Sequence, residues 1–404
     1  MVRNCLQVYL DYLGKVAEKG EPLCVKNMNE GFTMDVIAGG AFAQKLNSLM
    51  DPNNIFLVKV RKFFIMSPWR FIPAFVFPKF LNNLLGIDSS FSAEANEFIV
   101  SLAKHMIEER KQSKDKYNDF LQLLIDANED DHKKGDTTEG LESHFRNEGM
   151  TRFDFKIQKL ILNLILNSDE FEFKIQNKIV ANKYLTEEEV MGQCWVFLLA
   201  GYETTATTLG YMSYSMAMNP ECQEKLYKEL VSAMGSDQEI SYEDLHGLPY
   251  LDACVSETLR MYPPLTRLER EAEEDLMLGD SRIRLYKGQL VEIPVYAIHR
   301  SEKFYKNPNQ YIPERFLKEN RNEIIPYTFM PFGTGPRHCI GMRFALMEVK
   351  LAMAHIILRY RFFETDKTEK EFVLRPLTPL LTPISVTVGV EKRTMDSSVD
   401  STRL

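Results

Sequence analysis

Phe332-Gly333-Thr334-Gly335-Pro336-Arg337-His338-Cys339-Ile340-Gly341 is the stretch on which the reading of this chain turns. A single cysteine closes a glycine-rich loop, and a run with helical apolar spacing, Met342 to Leu358, begins directly after it. Backbone N–H groups at a helix N-terminus face such a sulfur, and the helix dipole predicts a lowered thiol pKa. Gly333, Gly335 and Gly341 can adopt conformations closed to other residues and let a flat ligand lie close to the main chain. Arg337, two residues before the sulfur, can offer its fork of donors to a carboxylate on that ligand. A free cysteine is often only a small buried hydrophobe. His338 is a sequence neighbour and so a poor partner for a Cys-His nucleophile. A zinc site would need a second cysteine or histidine nearby, and there is no C-x-x-C while His355 lies far along the helix. The complete spacing F-x-x-G-x-R-x-C-x-G, from Phe332 to Gly341, goes beyond all of these.

A thiolate on one face of a planar ligand that carries carboxylates describes haem with an axial cysteine. With that loop the chain resembles the cytochrome P450 haem-thiolate monooxygenases, and three further motifs stand in the family's order. Ala200-Gly201-Tyr202-Glu203-Thr204-Thr205 looks like the oxygen-activating segment of the family's long distal helix. Glu257-Thr258-Leu259-Arg260 matches its E-x-x-R, and Pro313-Glu314-Arg315-Phe316 its P-x-R-F. Ala200–Thr205 and Met342–Met347 look most like the microsomal group that contains the broad-specificity drug oxidisers and thromboxane synthase. The similarity is dense from about Leu185 to Val390 and traceable from Leu6 to about Asn128.

Each motif also has a physical reading. In the apolar run Gln193–Asn219, Ala200 and Gly201 let a ligand approach the helix, or else form a helix-packing notch. The resemblance favours the first and makes both cofactor contacts, with Thr204 stabilising bound dioxygen and Glu203 feeding it protons. Glu257 and Arg260, three apart, share a helix face. By resemblance Arg315 completes a buried structural network with them. Strand alternation sends Arg267 and Arg270 to opposite sides. The resemblance assigns Arg270, with Arg337, to the haem propionates. It places Leu199, Pro264, Leu265 and Thr266 in the substrate pocket, and Phe332, Gly333, Gly335 and Gly341 around the cofactor, with Cys339 on the iron.

The 404 residues, 45% of them hydrophobic, suit an ordinary globular chain. A net charge of −8 gives no reason to expect nucleic acid. The six cysteines lack framework spacing and fit a reducing compartment. Residues 63–80 are aromatic and broken by Pro68, Pro73 and Pro78, which suits either a membrane-surface contact or a buried layer. Residues 130–185 read as an insertion or loop, and 393–404 as a frayed tail. No run of 18 apolar residues opens the chain. Against the family this implies a missing anchor and missing N-terminal helices and strands.

The fold expected is mainly α with small β-sheets, one haem-thiolate domain of the cytochrome P450 kind lacking that first part. The resemblance implies haem b, an NADPH-cytochrome P450 reductase that docks behind Cys339 near Arg343 and Lys350, and a lipophilic substrate that takes one oxygen atom of O2. It also implies the cytoplasmic face of the endoplasmic reticulum membrane. Three alternatives stand beside it: a haem-thiolate isomerase of the thromboxane synthase type, a haem-free binding protein, and an unrelated thiol enzyme or zinc protein.

Overall fold

Residues 2–51, 53–65, 69, 72–73, 76–78, 81–82, 92–113, 117, 119–125, 185–233, 240 and 244–393 are described by the structure, a computed structural model. The expected insertion at 130–185 and the tail after Arg393 fall almost wholly outside them.

The architecture is mainly helical with small sheets, as expected. α1 (Val2–Lys19) buries Leu6, Tyr9, Leu10 and Leu13, an i, i+3, i+4, i+7 stripe. After a break at Gly20–Pro22, β1 (Leu23–Cys24) leads into α2 (Val25–Phe42), and Asn54 caps α3 (Ile55–Phe63) by accepting from the Phe56 N–H. α4 (Ala93–Gln112) is capped by Ser92. The longest helix among the described residues, α5 (Glu187–Met218), has 32 residues, about 48 Å at the standard rise. Its start is a capping box: the Thr186 hydroxyl accepts from the Glu189 N–H at 3.2 Å, and the Thr186 N–H donates to the Glu189 carboxylate at 2.6 Å. Three glutamates in its first turn complement the helix dipole.

α6 (Pro220–Ala233) and α7 (Pro249–Met261) follow. β2 (Leu268–Glu271), β3 (Leu276–Met277), β4 (Arg284–Leu285) and β5 (Leu290–Ile293) then form two antiparallel pairs, β2 with β5 and β3 with β4. α8 (Val295–His299) is a short helix that ends at His299. α9 (Met342–Arg359) starts directly after the cysteine loop. β6 (Tyr360–Phe363) and β7 (Thr387–Lys392) complete a three-stranded sheet in the order β1-β7-β6. Leu374 and Pro383 form an isolated antiparallel bridge.

α5 is apolar all round, as befits a helix with neighbours on every side. Its first half (Val190, Cys194, Trp195, Leu198) packs with α3 and α4, and its second half (Leu209, Met212, Met216) joins α1, α6, α7, α9 and the three-stranded sheet. α2 runs antiparallel to it across the boundary of the two clusters: Asn29 lies beside Gly210, Thr33 donates to the Tyr202 carbonyl at 3.1 Å, and Ile37 packs on Gly201. The Ala200–Thr205 motif thus sits mid-helix, where the two halves of the core meet.

Candidate active site

The cysteine loop is a tight turn stitched by its own backbone. The Gly333 N–H donates to the Met330 carbonyl at 3.0 Å, and the Cys339 N–H to the Phe332 carbonyl at 2.8 Å. Gly333 and Gly335 have φ of +73° and +76°, which L side chains rarely adopt, and a Cβ on Gly335 would meet nothing within 4 Å. Phe332 is half-buried against the main core, Arg337 ends a short turn from Gly335, and Gly341 precedes α9. Cys339 is exposed, yet the protein around its sulfur shields it enough to push the thiol above its ordinary value. The Gly341 N–H alone pulls the other way. This reverses the expected lowering: desolvation of the sulfur outweighs the one backbone N–H that favours its charged form.

Behind the loop stands the expected network, with more members than expected. Arg260 grips Glu257 in a bidentate pair at 2.7 and 2.9 Å, both side chains fully buried. Arg315 adds a contact at 3.4 Å, and the Ile312 N–H donates to the same carboxylate at 2.8 Å. Arg260 also donates to the His299 carbonyl at 2.8 Å. The His299 ring carries the network to the loop: its Nε2 accepts from the Met330 N–H at 3.0 Å, so its Nδ1–H donates to the Arg260 carbonyl at 3.1 Å. His299, whose role the sequence reading missed, is therefore the link between the E-x-x-R pair and the segment that enters the cysteine loop. Breaking a buried pair of this kind costs about 3–5 kcal/mol because it strands the remaining charge.

On α5 the motif divides by face. Ala200 is exposed in the middle of an otherwise buried helix, and Thr204, one turn on, is half-buried and donates to the Ala200 carbonyl at 2.6 Å. The other residues of the motif point elsewhere. A Cβ on Gly201 would lie 2.7 Å from Ile37, so Gly201 serves the close packing of α2 on α5. Leu199, expected in the pocket, is buried in the second core cluster. Glu203, expected to stand ready beside Thr204, is buried in an ion cluster, with Lys26 at 3.1 Å and Arg375 at 3.2 Å. Glu30 completes it, paired with Lys26 and Arg61 at 2.6 Å each. Burial alone would raise the Glu30 carboxyl, but Lys26, Arg61 and Arg375 together hold it below its ordinary value.

Strand alternation in β2 comes out as read. Leu268 and Arg270 share its more buried face, and Leu268 lies 3.8 Å from where a Cβ on Gly333 would stand. The face of Arg270 is thus the one toward the cysteine loop, while Arg267 pairs outward with Glu269 at 2.9 Å. Pro264 and Thr266 are half-buried and Leu265 is exposed. A wall that sequence reasoning missed runs beside them: Leu265 bridges Leu380, and Thr266 donates to the Pro379 carbonyl from both its N–H (3.2 Å) and its hydroxyl (3.1 Å). Behind the loop, Arg343 is exposed, and Lys350, expected to meet a partner, is paired with Asp252 at 2.5 Å.

These residues fit a flat group ligated by one sulfur. The loop offers a single thiol beside an open glycine, and α5 offers a small exposed side chain. Among the described residues no cluster of three or more metal-ligating side chains competes for a metal.

A sequence model of the cytochrome P450 family matches residues 1–148 and 147–387. The chain is 32% identical to cytochrome P450 3A14 of Cavia porcellus over 391 residues, 94% of this chain and 68% of that protein. It is 31% identical to cytochrome P450 3A11 of Mus musculus, covering 93% of this chain and 67% of that protein. Thromboxane-A synthase of Sus scrofa is 33% identical, covering 91% and 67%. The chain spans about two thirds of the length of these relatives.

The linking histidine generates a pH test. Burial pushes the His299 pKa down from 6.5 to about 4, so the folded state holds the ring neutral. Between those values only the unfolded chain takes up the proton. Stability from this group is therefore complete above about 6.5 and falls as pH drops toward 4, by up to about 3 kcal/mol. Thermal unfolding of the wild type and of His299→Gln across that window should give a shallower dependence in the variant. Equal slopes would contradict the assignment.

Proposed function

The chain belongs to the cytochrome P450 family, and from that premise we propose that it is a haem-thiolate monooxygenase of lipophilic compounds with Cys339 as the axial ligand. The observation that carries this reading is the position of Cys339: at the start of α9, in a loop braced from behind by the Glu257–Arg260–His299 network. When bound, haem b supplies the activation of dioxygen, and an axial thiolate favours O–O cleavage. The rest falls to side chains of the chain. Arg337 and Arg270 hold the propionates. Ala200 leaves room against α5. The Thr204 hydroxyl, parked on the Ala200 carbonyl, keeps its oxygen free to accept a hydrogen bond and can swing to hold a proton-carrying water. Glu203 joins the relay only after leaving its ion pairs.

An NADPH-dependent flavoprotein reductase is the electron source in this reading, docking near Arg343. Thromboxane-A synthase is as similar as the 3A proteins, so isomerisation is the second reading. Purified chain with reductase, NADPH and candidate substrates separates the two. Monooxygenation requires NADPH use that rises with substrate, and Thr204→Ala should keep that use while diverting at least half of it to hydrogen peroxide. Product formed without NADPH would favour isomerisation.

Contact with a membrane surface of the endoplasmic reticulum is part of the same proposal. Among the described residues no helix is long and apolar enough to cross a bilayer. Ile65, Trp69, Ile72 and Val76 follow i, i+4, i+7, i+11 spacing, and all are exposed, Trp69 to 86%. The other tryptophan, Trp195, is buried and donates to Asn96 at 2.9 Å. Phospholipid vesicles should therefore shift the emission of Trp69 to the blue, and Trp69→Phe should abolish the shift. An unchanged wild-type spectrum would refute the contact.

A further inference from the structure

Residues 373–384 form a hairpin whose base is closed by two backbone bonds, Arg375 N–H to the Thr382 carbonyl and Ile384 N–H to the Val373 carbonyl, each 2.8 Å. At its tip Leu377 has a φ of 62°, and Pro379 and Leu380 lie against Leu265 and Thr266. The hairpin is thus one wall of the proposed substrate pocket. Its Arg375 side chain reaches inward: Nη1 donates to Glu203 Oε1 at 3.2 Å and Nη2 to Glu30 Oε1 at 3.4 Å.

Charge counting makes Arg375 the member that can leave. The cluster holds three cations (Lys26, Arg61, Arg375) and two anions (Glu30, Glu203). Without Arg375 it is balanced, whereas losing either glutamate would leave buried positive charge unmatched. Lys26 and Arg61 sit on α2 and α3 and make the shorter contacts, 2.6 Å each, to Glu30. Arg375 makes longer ones from a hairpin. The second oxygen of Glu203, Oε2, is buried with no hydrogen-bond partner, so this carboxylate is under-satisfied where it lies.

We propose that Arg375 is a positioning residue that couples occupation of the pocket to the Glu203 carboxylate. An uncharged lipophilic ligand that displaces the hairpin tip draws Arg375 off Glu203, which is then held by Lys26 alone and can turn toward Thr204. The benefit of that turn rests on the monooxygenase reading; the coupling does not. Ligand binding then competes with an ion pair, and weakening the pair raises the fraction of chain already able to bind.

Pyrene, an uncharged fluorescent hydrocarbon, tests this by equilibrium titration of the purified chain without NADPH. Arg375→Gln should bind pyrene about fivefold more tightly than the wild type or better. Arg375→Lys should restore most of the wild-type affinity. Glu203→Gln should tighten binding by a similar factor, and the double variant no more than either single one. Unchanged or weaker binding in Arg375→Gln, additive effects, or no pyrene binding by the wild type would overturn the proposal. Should Glu203→Gln not fold, the Arg375 pair decides alone. Linkage without substrate-dependent NADPH use would retire the monooxygenase reading and leave the coupling standing.

Discussion

The bidentate pair of Glu257 and Arg260 is the constraint on which the rest of the site depends. Two charges with no exposure to solvent are tolerable only because every strong donor and acceptor around them is used. Arg315, the Ile312 N–H and the carbonyls of His299 and Gln310 complete the shell. Through the His299 ring the shell fixes Met330, and through the Met330 carbonyl it fixes Gly333. A rigid pair on one helix thereby sets the position of a loop more than 70 residues further along the chain. A thiol on a surface turn would otherwise wander, and a ligand sulfur must not.

In the proposed site the other side is α5, a helix buried along most of its length. α5 is packed in core along both halves, and mid-helix Ala200 is exposed and Thr204 half-buried. Neighbouring positions in the same motif do unlike jobs for that reason. Gly201 lets α2 approach, Tyr202 is core, and Glu203 enters an ion cluster shared with α2, α3 and the hairpin at 373–384. The cluster places buried charge one position from Thr204, where burial keeps it from being screened.

What was legible in the sequence was what lies close along the chain. The E-x-x-R pair is three residues apart on one helix, strand alternation separated Arg267 from Arg270, and Gly333 and Gly335 announced a turn with positive φ, whereas Gly341, expected to share that role, has an ordinary φ of −85°. What was not legible depends on distant partners. Glu203 meets Lys26 across 177 positions and Arg375 across 172, and nothing local distinguishes a carboxylate that faces a pocket from one that faces another helix. Leu199 lies one residue, or about 100° of helix, from the exposed Ala200 and is buried in the second core cluster. His299 lies 39 positions from Arg260, and its spacing carried no sign of the link. One signal was present and unused. Lys26 and Glu30 stand four apart on one helix, a spacing that brings the two side chains together.

The central claim is that this loop presents Cys339 to haem iron as a thiolate, despite a protein environment that raises its thiol pKa. The carbon monoxide difference spectrum of the reduced chain tests it most directly, recorded beside Cys339→Ser. The account predicts the red-shifted Soret band of a thiolate-ligated haem in the wild type and its loss in the variant. Haem absorbance that ignores the substitution, or a wild type that binds no haem, would contradict it.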